Sequence, residues 1–337
     1  MNTDNLLHAI QNFIPTKTNL KHERRQVTSV VMGVLSITII TALVQLLCIP
    51  IIQLVAPELL EENWFNIVLS AAPMYLIAFP LSFIFFGFGS ANPPKQRKIT
   101  LTAWFGLLAI GYVLILVGNV IGLSVNSAIE SLVNAEQENA LSLMIDNVPL
   151  WLIALVVAVA APIVEEIVYR KLVIDRLRRY GDLTAIVVSG VIFGLIHGNF
   201  SQCFYATLLG FLFGFVYVYS GKLRYSIALH MAINFIGSVY SYRMTELLEH
   251  VDENATELSN EGMIGILMLC GYYVFIFACI IVAPTAITKL RKYVRLKKPT
   301  VKMSFLQTVR VWVMNLAVWA LLAVIALLFL SSISLGV

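Results

Sequence analysis

Charge is scarce in this sequence. Of its 337 residues, 12% are Asp, Glu, Lys or Arg, while 59% are apolar. A soluble domain averages roughly 25% charged residues, so the shortage excludes an ordinary soluble protein and predicts a polytopic helical membrane protein. A mean hydropathy of +0.85 agrees. Cysteine is also sparse. Cys48, Cys203, Cys270 and Cys279 all lie inside apolar runs without paired spacing. That excludes a disulfide framework and a thiolate metal site, and leaves them as small buried hydrophobes. Internal repeats, low-complexity stretches and a soluble domain are missing too. The first apolar run is too long for a cleavable signal peptide and lacks a small-residue cleavage site, so it reads as a retained anchor. The sequon Asn254-Ala255-Thr256 has meaning only in a secretory pathway, for which nothing else argues. No nucleic-acid partner is expected.

What the chain has is long apolar runs, each able to cross roughly 30 Å of hydrocarbon. About nine spans are expected, at 27–56, 64–89, 101–124, 151–179, 182–197, 203–219, 225–242, 263–286 and 309–330. Pro50 is expected to kink or end the first. Every second connection is rich in Lys and Arg, and the alternate ones are nearly free of them, with an acidic stretch at 130–146. By the positive-inside rule the N-terminus is cytoplasmic and the C-terminus outside. The expected fold is therefore all-α, a multi-pass transmembrane helical bundle. Its organisation reads as a cytoplasmic segment 1–26, N-terminal helices and acidic connector 27–148, a catalytic core 149–242, and C-terminal helices 243–337. The most basic loop, 289–302, reads as fixing orientation and touching anionic lipid.

Against this apolar background a few polar residues stand out. Glu165 and Glu166 are adjacent within the fourth span, and Arg170 follows one turn on. A carboxylate near the bilayer midplane is costly and usually marks function. Phe193 and His197 are four apart on the fifth span, as are His230 and Asn234 on the seventh, so each pair shares a helix face. Glu166 and Arg170 have the same relation and are expected to pair, leaving Glu165 free to face elsewhere. Counting about 1.5 Å per residue from the basic or acidic ends puts Glu165 about 16 Å deep, His197 about 21 Å and His230 about 12 Å. These levels are compatible with one cavity.

Blander readings exist for each residue. The helix could leave the membrane at Glu165, and a lone membrane histidine is more often an interhelical hydrogen-bond partner. His197 could sit at the outer surface beside Gly198-Asn199. Asn234 alone reads as a packing contact, and Gly190-x-x-x-Gly194 and Gly210-x-x-x-Gly214 read as sites of close helix approach. Taken jointly the residues favour chemistry. A carboxylate and an imidazole can deprotonate water for attack on a carbonyl, and a second imidazole with an amide can donate to the oxyanion. A divalent metal held by the same residues is the alternative, although no His-Glu-x-x-His spacing is present.

Glu165-Glu166-x-x-x-Arg170, Phe193-x-x-x-His197 and His230-x-x-x-Asn234 together resemble the three motifs of the CAAX-protease and bacteriocin-processing (CPBP) family of intramembrane proteases. The resemblance covers 151–237. It implies that Glu165 and His197 activate water and that His230 and Asn234 stabilise the oxyanion. Glu166 completes the catalytic set, with Arg170 and Phe193 in support. The family has been described as metalloproteases, but a metal-free glutamate mechanism without a cofactor is followed here because no third well-spaced ligand is evident. A metal such as zinc, if bound, would fall to Glu165, His197 and His230.

The resemblance implies an intramembrane endopeptidase of the bacterial plasma membrane acting on a peptide or membrane protein. Prenylated substrates are not expected in such a setting. Two other classes are kept: a non-catalytic immunity or peptide-binding scaffold, and a proton-coupled transporter. The transporter lacks the paired interrupted spans and repeat symmetry common to that class.

Overall fold

Backbone polar groups in hydrocarbon must be satisfied within their own segment, which drives apolar runs into helices. The computed structural model describes residues 19–133, 148–251, 258–292 and 294–334, and every regular element among them is helical. We label these α1 (Leu20–Val55), α2 (Asn63–Phe86), α3 (Leu101–Val133), α4 (Leu150–Tyr180), α5 (Asp182–Leu195), α6 (Phe200–Ser220), α7 (223–248), α8 (Asn260–Arg291), α9 (305–313) and α10 (Leu316–Ser334). Seven of them are long and apolar enough to cross a membrane: α1–α4, α6, α8 and α10. The chain is a membrane protein of the all-α class.

Several expectations need correction. Pro50 does not end the first span, since α1 continues to Val55. The fifth span is only 14 residues. At about 1.5 Å per residue it is about 21 Å long, short of the hydrocarbon thickness. The last expected span is broken at Met314–Asn315 between α9 and α10. There Asn315 takes over the local hydrogen bonding: its Oδ1 accepts from the Ala317 N–H, and its Nδ2 donates to Thr28 Oγ1 on α1. Cys203 and Cys279 are buried as expected, but Cys270 is exposed on the outer face of α8. Most of the acidic connector and the sequon fall outside the described residues.

The basic segments meet at one end of the bundle. Arg179 pairs with Glu23 at 2.8 Å, and Tyr180 donates to the same carboxylate. Arg178 pairs with Asp182, whose other oxygen accepts from the Lys297 N–H. Asn92 N–H bonds to Asp175 O, and Arg97 N–H to Ser220 O. The loop after α8 is thus docked onto the end of α4.

Three apolar clusters build the interior. One joins α1, α4, α5, α6 and α10, another α3, α6, α7 and α8, and a smaller one α2, α4 and α7. Helices α5 and α6 approach most closely at glycines. A Cβ on Gly210 would lie 2.7 Å from the Gly190 Cα, so backbone meets backbone there. That contact fixes the short helix, and with it His197, against the rest of the bundle.

Candidate active site

A cavity of about 440 Å³ opens where the three clusters meet. Its wall brings together Glu165 of α4, Phe193 and His197 at the end of α5, and His230 and Asn234 of α7. Glu166 and Arg170 lie behind that wall, fully buried.

The short α5 explains how His197 gets there. The helix stops at Leu195, and the chain reverses through Gly198 at φ 69°, a left-handed conformation that favours glycine. Asn199 then caps α6 by accepting from the Gln202 N–H at 2.9 Å. Irregular backbone at membrane depth is tolerated only when protein covers it or it lines a cavity. Here Leu328 of α10 packs on Gly198, and His197 faces the cavity. The outer-surface alternative for His197 is not what forms. Its Nδ1 lies 2.7 Å from the Phe193 carbonyl. A carbonyl can only accept, so Nδ1 carries the hydrogen of that bond, and in the neutral imidazole Nε2 is the acceptor.

The two glutamates part company as the helix periodicity requires. Glu166 Oε2 accepts from Arg170 Nε at 3.1 Å, and both side chains are completely buried. Arg170 also donates to Ser189 Oγ, and its guanidinium lies 5.0 Å from the Phe193 ring centroid. Glu165 keeps 27% of its side chain exposed, on the cavity side. His230 sits between them. Its Nε2 is 3.7 Å from Glu165 Oε2 and its Nδ1 is 3.3 Å from Glu166 Oε1. The first is longer than a hydrogen bond, and the second is not aligned as one. The imidazole is held by rings instead, stacked on Phe213 at 4.8 Å and edge-on to Phe193 at 5.7 Å. Phe193 therefore touches His197, His230 and Arg170 at once.

Asn234 has a local partner that its spacing did not show. Helix α4 is wound with five-residue hydrogen bonds over Ala154–Ala160 and again over Ile167–Ile174, bracketing the glutamates. The Ala161 N–H bonds to Val156 O, so the next donor in that register belongs to residue 162. Residue 162 is proline and has no N–H. The stranded Val157 carbonyl accepts from Asn234 Nδ2 at 2.9 Å. One amide hydrogen of Asn234 is thereby used to tie α7 to α4, and the other remains for the cavity.

The cavity also holds polar residues that the motifs do not mark: Tyr75, Tyr112, Asn119, Gln202, Tyr205 and Tyr272. The Tyr112 hydroxyl is buried without a hydrogen-bond partner. Asn119, polar within an otherwise apolar span, was the signal available in the sequence. Among the described residues, no three of His, Cys, Asp and Glu are grouped so as to hold a metal ion. Glu165, His197 and His230 share the cavity wall but do not form such a group.

Residues 147–236 match the family described as type II CAAX prenyl endopeptidase Rce1-like. The Rce1-like match covers about a quarter of the chain. The matched stretch includes every residue of the three motifs and the cavity-lining residues of α4, α5 and α6, with His230, Ile233 and Asn234 of α7. The chain is also similar to the protein named "Putative membrane peptidase YdiL" of Bacillus subtilis (strain 168), with 27% identity over 129 residues. That match spans 37% of this chain and 51% of YdiL, about half of the curated relative's length. No solved structure matches the chain.

Proposed function

We propose that the protein is an intramembrane endopeptidase that hydrolyses a membrane-associated peptide with a glutamate-activated water and no metal. The observation that carries this reading is the split between the glutamates: Glu166 is consumed by Arg170, while Glu165 stays partly exposed in a cavity shared with two histidines and an asparagine. A carboxylate freed from its neighbour's ion pair is available to take a proton.

In this mechanism Glu165, aided by the Nε2 lone pair of His197, removes a proton from water as the oxygen attacks the scissile carbonyl carbon. His230 and the second amide hydrogen of Asn234 donate to the oxyanion so formed. When the carbon–nitrogen bond breaks, the proton held by Glu165 passes to the departing amine. Glu166 and Arg170 pair with each other and brace α4 without touching substrate. The substrate in this reading is a peptide or membrane protein, and the site of action is the bacterial plasma membrane.

Comparing membrane peptides from cells carrying the wild-type chain with those carrying Glu165→Gln tests the proposal. Precursors that accumulate only with Glu165→Gln identify the substrate. Identical peptide profiles at equal expression would remove the peptidase reading and leave a scaffold that binds without cleaving.

A further inference from the structure

A second cavity, of about 500 Å³, lies away from the candidate active site, between the N-terminal turns of α3 and the C-terminal turns of α6 and α8. We infer that this groove is a binding site for one anionic phospholipid from the leaflet on the side of the basic loops. Its two ends differ in chemistry. Lys98 before α3, with Lys289 and Lys292 at the end of α8, rim the end near the connecting loops, and among the described residues none that is acidic lines the groove. All three lysines are exposed, and none has an acidic ion-pair partner among the described residues. Elsewhere at the same end of the bundle, Arg178 and Arg179 are paired with acids.

Away from that rim the groove is apolar. Phe215 lines one side, and Val282, 42% exposed, lines the other. Below it the walls close where Gly106 meets Ala286, with a built Cβ only 3.0 Å from the Ala286 Cβ. The depression is therefore walled and floored, with positive charge at one lip. A free anion would satisfy the lysines and leave the apolar walls bare. An uncharged lipid would do the reverse. A phospholipid with a net negative head group matches both ends, and basic pockets between helices at that surface suit such head groups.

The test uses the full chain purified in detergent and mixed with equal amounts of phosphatidylglycerol and phosphatidylcholine, with retained lipid read by native mass spectrometry. One lysine near an anionic surface is worth about a fivefold preference, and three together on the order of 100-fold. The wild-type chain is expected to keep phosphatidylglycerol over phosphatidylcholine by at least the single-lysine factor. The variant Lys98→Gln/Lys289→Gln/Lys292→Gln is expected to lose the preference. Thr285→Trp, which fills the groove and keeps every lysine, is expected to lose the bound lipid as well, while Thr285→Val, with no added bulk, keeps it. Equal retention of both lipids by the wild-type chain would overturn the site. So would a Thr285→Trp chain, monodisperse on gel filtration, that holds phosphatidylglycerol as the wild type does. A wild-type dimer that Thr285→Trp converts to monomer, with no lipid retained, would assign the groove to a second copy instead.

Discussion

Asn234 Nδ2 donates to the carbonyl of Val157 at 2.9 Å, across the boundary between α7 and α4. The bond exists because Pro162 cannot supply the donor that the winding of α4 would otherwise place there. Asn234→Ala should therefore cost stability, about 1 kcal/mol, since it strands a partly buried carbonyl. Pro162→Ala returns a backbone N–H to α4, and the double variant should recover much of the loss. Thermal unfolding in detergent measures all three chains. A double variant no more stable than Asn234→Ala would show that the bond does not serve this purpose.

The buried Glu166–Arg170 pair yields a sharper stability prediction. Removing one partner of a buried ion pair leaves an uncompensated charge and typically costs about 3–5 kcal/mol. Arg170→Met should give little folded protein, whereas Glu166→Gln/Arg170→Met should be recovered in better yield. Gel filtration of the two, expressed side by side, distinguishes them. Equal recovery would mean that the charges are not felt as a pair.

His197 is placed by its own helix end, through the Phe193 carbonyl and the turn at Gly198. His197→Ala should lower kcat by about 10²–10⁴-fold, the range for a positioned general base, with little change in KM. A rise in KM at unchanged kcat would instead assign His197 to substrate binding.

Metal dependence separates the glutamate mechanism from the alternative directly. Turnover of a cleavable membrane peptide should persist through exhaustive chelation. Activity that disappears with chelator and returns with zinc would assign the water to a metal held by Glu165, His197 and His230.

Much of this site could be read from the sequence, because hydrocarbon makes polar residues conspicuous. Glu165, Glu166, His197, His230 and Asn234 stood out against an apolar background, and four-residue spacing rightly paired Glu166 with Arg170. The helices carrying the glutamates, His230 and Asn234 were equally plain. Three things were not. The sequence did not reveal that α5 is too short to cross, because its apolar run passes smoothly into Ile196 and only the glycine turn beyond it stops the helix. The break at Asn315 depends on a partner nearly three hundred positions away, Thr28. The tie from Asn234 to Val157 depends on the hydrogen-bond register inside α4, which no residue pattern displays.

The most direct measurement of the central claim is the turnover of a cleavable membrane peptide by purified Glu165→Gln, compared with wild type at equal folded concentration. Glutamine keeps the size of the side chain and cannot accept the proton from water. A fall in kcat on the order of 10³-fold, with the peptide still bound, is what the account predicts. Turnover equal to that of the wild-type chain would contradict it.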